Sequence, residues 1–308
     1  MTVITGRREE AAAGRSGGLA RVRALAVRAG RAVRVRLQDL AATAVVDAHA
    51  VLSRRPLVDR GGYGIVTYTS HGKRAGKAWR AAVSIGRGVE RPARLILWLE
   101  PTDLPAVSGR RWDRLRARGL EVLEARPGLG PHTKYFGALE LAVASGRPLV
   151  TADDDVIYPR RWLADLRAAQ EAEPRGGIVT CFRARAMTAP RGAPSRYDAW
   201  PLATAATPAE DLFLTGVSGA VYPSGFAALA LARGTDFLNL CARADDVWLN
   251  RLARDGGFTI RLADPVSVDF AAVAGTRNTG LSRGNVVRDE NTAQIERTFA
   301  GMAGWPRG

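Results

Sequence analysis

Pro148-Leu149-Val150-Thr151-Ala152-Asp153-Asp154-Asp155-Val156-Ile157-Tyr158-Pro159 is the stretch around which the rest of the chain arranges itself. Leu149 to Ala152 is a short apolar run and reads as a buried strand. It stops at three adjacent carboxylates, Asp153, Asp154 and Asp155. Tyr158-Pro159 then opens a helix, with Pro159 in the first turn, where a missing N–H is harmless. Three like charges at the end of a buried strand repel one another. Solvent, a helix cap or a cation can relieve them. A hard divalent ion takes oxygen ligands, and one or two protein carboxylates with phosphates is the usual Mg²⁺ arrangement. Alternate residues of an extended segment point the same way, so Asp153 and Asp155 are placed to share one ion. The plain alternative is an acidic loop with a helix cap.

The 308 residues suffice for one large α/β domain or two small ones. A hydrophobic fraction of 46% and a charged fraction of 24% are those of a globular protein. The net charge of +15 asks for a negative partner: nucleic acid, anionic lipid or a phosphorylated substrate. Cys181 and Cys241 have no metal-ligand spacing and imply neither a disulfide framework nor an oxidising compartment. No apolar run reaches membrane-spanning length, and no secretory signal is evident. A cytoplasmic location follows as the expectation, with peripheral attachment at the inner face of the cell membrane as an extension of it. Arginine dominates the cations. Lys73, Lys77 and Lys134 are the three lysines and mark places where a compact ammonium matters.

Residues 1–17 read as a disordered basic tail. Residues 18–58 read as a basic helical segment, with Leu19, Val22, Leu25, Ala26 and Ala29 at helical spacing and Arg21, Arg28 and Arg31 elsewhere. Two readings stand: an amphipathic helix on an anionic membrane, or a helix packed on the domain with a solvated arginine face. An α/β domain fills 59–308. Its expected strands are Tyr63–Thr69, Ala93–Leu99, Leu120–Leu123 and the strand before the aspartates. Helices over Ala75–Ile85, Arg111–Arg118 and Thr133–Ala144 alternate with them. Such alternation gives a mostly parallel sheet flanked by helices, with ligands beyond the carboxyl ends of its strands. Thr69-Ser70-His71 and Asp153-Asp154-Asp155 are therefore candidates for one site. Further on, Gly177–Phe182 and Phe258–Leu262 read as strands and Pro190–Pro208 as a long loop. Ala244-Asp245-Asp246 opens a helix with Asp245 as its cap. Neither a dinucleotide fingerprint nor a P-loop is present.

The run from Val66 to Phe270, about two-thirds of the chain, resembles bacterial nucleotide-sugar glycosyltransferases of the GT-A fold, close to the large inverting family 2. The stretches that carry the likeness are VTYTSHGKR, RLILWLE, PHTKYFGAL, VTADDDVIYPRRWL, GVSGAVYP and ADDVWLNRLA, in that order. The resemblance implies a GT-A, Rossmann-like sheet over 59–308. It also implies transfer of a sugar from a nucleotide-diphosphate donor to a glycan or lipid-linked acceptor, with inversion, in cell-surface polysaccharide synthesis. The three aspartates stand where the family has its DxD motif. Asp155 would be the most direct ligand of Mn²⁺ or Mg²⁺, with Asp153 beside it facing the ribose or sugar. Thr69, Ser70, His71 and Asp154 would hold the donor. Lys134, with Arg74 or Arg160, would add positive charge at the diphosphate. Gly216, Ser218 and Gly219 would line the sugar and acceptor pocket. Asp245 and Asp246 match the pair that carries the base, and Asp246 is the expected base because Asp245 is the better-placed cap.

The chemistry suits these residue types. The acceptor hydroxyl needs a base, and the departing diphosphate needs its negative charge stabilised, which a metal does as a Lewis acid. One departure from the family pattern is the absence of a C-terminal histidine ligand, since the last histidine is His132. Asn285, Asp289 or Asn291 is the expected substitute, or aspartates, phosphates and water hold the ion alone. Two other classes compete. A haloacid-dehalogenase-like phosphatase also ends a strand in Asp-x-Asp, but on its first strand and with a lysine downstream. A basic nucleic-acid binder fits the charge, but the chain lacks the aromatic-basic interleaving of such modules. No specific nucleic-acid partner is expected.

Overall fold

The computed structural model describes residues 6–172, 177–188, 196–277 and 290–302, and for 6–24 the backbone alone. Strand β1 (Ile65–Thr69, IVTYT) is β-branched and buried, as are the apolar β2 (Arg94–Leu99) and the short β4 (Leu149–Thr151). With β3 (Leu120–Glu124), β6 (Ile178–Cys181), β9 (Ala220–Tyr222) and β10 (Thr259–Leu262) they form a seven-stranded sheet of order β10-β6-β9-β4-β1-β2-β3. The expected α/β class, a mostly parallel sheet flanked by helices, is the observed one. The departure is β9, which runs antiparallel between β4 and β6.

The order reverses at β1. The chain goes outward to β2 and β3, then returns to the other side of β1 as β4. A crevice opens beyond the carboxyl ends of two parallel strands whose chains leave in opposite directions. Ser70 follows β1 and Asp153 follows β4, so topology alone brings the two polar strand-ends together.

One face of the sheet carries α2 (Trp79–Gly86), α3 (Arg110–Ala117) and α6 (Trp162–Glu171) over a core that includes Val46, Trp79, Trp112 and Trp162. The other carries α4 (Thr133–Phe136), α5 (Leu139–Ser145), α7 (Ser224–Ala232) and α9 (Asp245–Asp255) over a core with Tyr135, Phe213 and Trp248. The helix expected over Thr133–Ala144 is broken at Gly137. A Cβ there would lie 2.8 Å from the ring of Trp98, so the indole packs where a side chain would stand. The helix expected at Tyr158-Pro159 starts at Trp162, because Val156–Ile157 first forms a strand, β5, antiparallel to β11 (Ala271–Ala272).

The first helix, α1 (Gly6–Leu52), runs unbroken through the boundary expected near residue 17. Its second half is built into the domain. Val46 is fully buried, and Asp39 and Thr43 nearly so. Asp39 accepts the Ala272 N–H at 2.9 Å and pairs with Arg277, and Thr43 accepts the Ala274 N–H at 2.9 Å. The stretch from Asp39 to Val46 is thus packed on the domain. The opposite side of the same helix leaves Leu37, Leu40, Val51 and Leu52 exposed. Among the described residues no helix is long and apolar enough to cross a membrane.

Candidate active site

The site is assembled from backbone outward. The Trp98 indole donates to Thr67 Oγ1 at 3.0 Å, and that hydroxyl donates to the Lys134 carbonyl at 2.8 Å. The turn α4 is thereby pinned over β1, with Lys134 aimed into the crevice. Its ammonium donates to Asp153 Oδ1 at 2.8 Å and lies 3.5 Å from Asp245 Oδ2. One buried cation joins the strand-end carboxylates to the acidic start of α9. Burial works against its charge, but Asp153 and Asp245 outweigh that and hold the Lys134 pKa above its ordinary value. No other polar group donates to Asp245 Oδ2, which is buried without a hydrogen bond.

The loop before β9 closes over this cation. The Ser218 N–H donates to Asp153 Oδ2 at 3.2 Å, and the Trp162 indole donates to the Ser218 carbonyl at 2.9 Å. Ser218 has φ 68°, the left-handed region that non-glycine residues rarely enter. Gly219 has φ 91°, and a Cβ there would stand 2.6 Å from the Trp162 ring. A Cβ on Gly216 would press on Lys134 Nζ at 3.3 Å. These glycines are small because the ammonium and the indole fill the space. Ser218 Oγ is fully buried with no partner and is free to take a ligand atom.

Asp154 and Asp155 lie in a turn rather than an extended run, which corrects the basis for pairing Asp153 with Asp155 by alternation. The three carboxylates are held separately. Asp154 is buried, accepts the Ser70 hydroxyl in a short hydrogen bond and lies 3.4 Å from Arg74. Asp155 meets the same guanidinium at 3.2 Å and keeps a quarter of its side chain exposed. Its backbone is fixed by Val273 N–H donating to its carbonyl at 2.7 Å. Burial raises the Asp154 pKa, more than Arg74 and Ser70 lower it. Burial and then the neighbouring Asp154 and Asp153 push Asp155 up to about 6. This crowding is what a divalent cation at Asp155 would relieve. Among the described residues no three histidine, cysteine or acidic side chains converge as a ready metal cage. The donor set instead suits an ion completed by phosphate and water. Asn291 lies in the last helix, Glu290–Phe299; Asn285 and Asp289 lie outside the described residues.

At the start of α9 the cap is Ala244, and neither acid caps the helix with its side chain in the way expected of Asp245. Both acids instead sit in the first turn, where the helix dipole favours them. Asp246 Oδ1 accepts the Val247 N–H at 2.9 Å, and Asn250 Nδ2 holds the Asp246 carbonyl at 2.7 Å. Burial first, and then Asp245, pushes the Asp246 pKa up to about 7. Asp245 is tied to Lys134; Asp246 faces no cation at ion-pair distance among the described residues.

Of the other expected donor residues, Ser70 and Arg74 are in the crevice, whereas Arg160, expected to add charge at the diphosphate, is exposed away from it, beside Arg87, with its carbonyl accepting the Val89 N–H at 2.8 Å. The Thr69 hydroxyl is committed to the Trp98 carbonyl at 2.9 Å, and His71 is exposed just before a short 3₁₀ turn. Sequence reading missed Trp98, Thr67, Trp162 and Arg183. Arg183 donates to Thr215 Oγ1 at 3.1 Å and pairs with Asp269 at 2.9 Å beside the glycine loop. Arg277, held by Asp39, lies within electrostatic reach of Asp155. No signal in the sequence separates these two from the other arginines.

No protein-family model matches the chain, and no curated protein matches it. Among solved structures, similarity is found to a mannosyltransferase from Pyrobaculum calidifontis in complex with GDP-Man and Mn²⁺. That likeness is 17% identical with TM-score 0.47, over 86% of this chain and 75% of that one. A second is 4-diphosphocytidyl-2C-methyl-D-erythritol synthase, 11% identical with TM-score 0.39, over 73% and 99%. A third is a CMP:2-keto-3-deoxy-manno-octonic acid synthetase complexed with CTP, 10% identical with TM-score 0.36, over 74% and 99%. At such identities the likeness is one of overall chain course.

Proposed function

We propose that the protein is a nucleotide-sugar-dependent glycosyltransferase of GT-A type, inverting, with a glycan or lipid-linked acceptor. The observation that supports this best is the position of Lys134. It ties a strand-end carboxylate cluster to a second acidic pair through one buried ammonium, in a crevice at the switch point of an α/β sheet. Such a crevice offers cations to a diphosphate and a separate carboxylate to a hydroxyl.

Asp155, with Asp153 next to it, is the residue to hold Mn²⁺ or Mg²⁺, which would neutralise charge on the departing diphosphate. The chain's own residues account for the rest. Arg74 and Lys134 stand ready to stabilise negative charge, at distances that already satisfy Asp153, Asp154 and Asp155. Ser70 and Asp154 fix the nucleotide end of the crevice. Ser218 and the two glycines shape the sugar pocket. Asp246 takes the acceptor proton, and a pKa of about 7 suits a base at neutral pH. The exposed apolar and arginine side of α1 is the part that would meet an anionic membrane bearing a lipid-linked acceptor.

The test is release of nucleoside diphosphate from UDP-, GDP- and dTDP-sugars, with and without Mn²⁺. Release that needs the divalent ion and falls about 100-fold in Asp246→Asn is the expected result. Equal release by Asp246→Asn removes the base assignment, and no release from any donor removes the function.

A further inference from the structure

At the opposite end of the parallel strands, three helices finish close together. His49 lies in the last turn of α1, Arg87 follows α2 and Arg118 follows α3. The segments are locked. Leu57 N–H donates to the Arg118 carbonyl at 2.8 Å, Arg118 Nε donates to the Arg55 carbonyl at 2.8 Å, and Val89 N–H donates to the Arg160 carbonyl at 2.8 Å. Leu57 packs so tightly on Gly86 that a Cβ there would lie 2.4 Å from it. Burial first, and then Arg118, Arg87, Arg160 and Arg55, act on the His49 imidazole in the same direction, against its protonation.

Helix C-termini favour cations, which explains why arginines collect here. It does not explain their unmet hydrogen bonds. His49 Nε2, Arg87 Nε and Arg118 Nη2 are buried and have no hydrogen-bond partner among the described residues. None of the four arginines forms an ion pair among the described residues. The nearby acids are engaged elsewhere: Asp47 with Arg80 at 2.7 Å, Asp59 with Arg91 at 3.0 Å, Glu90 with Arg167 at 2.7 Å. An open cleft of about 510 Å³, lined in part by Arg55 and Val89, adjoins the cluster. Buried, unpaired guanidinium donors around one imidazole suit a tetrahedral oxyanion, which accepts several N–H bonds at once.

We propose that His49, Arg87, Arg118 and Arg160, with Arg55 at the rim, form a phosphate-binding site separate from the aspartate crevice. A soluble phosphate and a phospholipid headgroup share the chemistry this site reads. Val51 and Leu52, 71% and 81% exposed beside it, would lie along the acyl chains in the second case.

The chain has three histidines, which makes the test specific. His49 reports on this site, His71 on the rim of the crevice and His132 on the core. Inorganic phosphate, added at constant ionic strength, should raise the His49 titration midpoint in proton NMR by about 1 pH unit, as a nearby anion does, and leave His132 unmoved. Arg87→Gln with Arg118→Gln should abolish the shift. Arg160→Ala, an exposed position, should at least halve it and covers the case in which the buried variants fold poorly. Co-sedimentation with phosphatidylglycerol vesicles that is lost in the same variants, without a shift from free phosphate, supports the site with a lipid headgroup as its ligand. A His49 midpoint unmoved by phosphate together with vesicle binding unchanged in the variants overturns the proposal. So does an equal shift with chloride in place of phosphate.

Discussion

Replacing Lys134 by methionine removes the charge and keeps most of the side-chain volume. The ammonium is 13% exposed and serves Asp153, 16% exposed, and Asp245, 13% exposed. Removing one partner of a buried ion pair strands the other and costs about 3–5 kcal/mol. The residual solvent contact of all three groups favours the lower end, about 3 kcal/mol, and for a chain of this size that is roughly a 6 °C fall in Tm. The sign with pH is definite. The folded pKa of Lys134 is raised, so its contribution is fully present below the ordinary lysine range and persists through pH 8. The loss in Lys134→Met is therefore set by the stranded carboxylates. Differential scanning calorimetry of both proteins from pH 5 to 8 measures it. A Tm difference below about 1 °C would refute the reasoning that Lys134 carries the two acidic groups.

Three further outcomes follow from the same geometry. With Asp246 as the proposed base, the kcat/KM for donor turnover by the native protein should rise with pH around a midpoint of about 7 as Asp246 ionises, and Asp246→Asn should lose that limb along with about 100-fold in turnover. The folded pKa of Asp246 lies above its ordinary value, so stability from its proton fades as pH rises through about 7; Asp246→Asn should thus melt higher than the native protein at pH 8, and an equal or lower Tm contradicts the buried-acid assignment. Removal of residues 1–55 should lower Tm sharply, because Asp39, Thr43 and Val46 are built into the domain; melting equal to that of the full chain would mean that α1 is not packed.

The sheet was legible because its strands are continuous apolar runs such as IVTYT and RLILWL, and the alternation with helices leaves few topologies. The two polar strand-ends met where the strand order reverses, as anticipated from the same alternation. Two local features were not legible. Asp154 and Asp155 look extended in sequence but turn, because Val156–Ile157 is pulled into a pair with Ala271–Ala272 from far along the chain. The helix break at Gly137 depends on Trp98, whose ring occupies the space of a missing side chain. For α1 the packed reading stood beside the membrane one, but the residues that dock it were not legible. The contacts that dock it mix polar Asp39 and Thr43 with apolar Val46, so the spacing of apolar residues alone does not mark the docked face. Lys134 was picked out by the rarity of lysine, but that it joins Asp153 to Asp245 is a product of the fold. Arg183 and Arg277 were lost among many arginines, since nothing in a single sequence tells a site arginine from a solvated one.

The central claim is that the crevice beyond β1 and β4 binds a sugar nucleotide through a divalent ion at Asp155. Isothermal titration of UDP-, GDP- and dTDP-sugars into the native protein and Asp155→Ala, with Mn²⁺ and with chelator, tests it most directly. The account predicts saturable binding of one donor that depends on Mn²⁺ and weakens at least about 100-fold in Asp155→Ala, roughly the loss of one charge-assisted contact set. Equal donor affinity in the variant, or no binding of any donor with Mn²⁺ present, would contradict it.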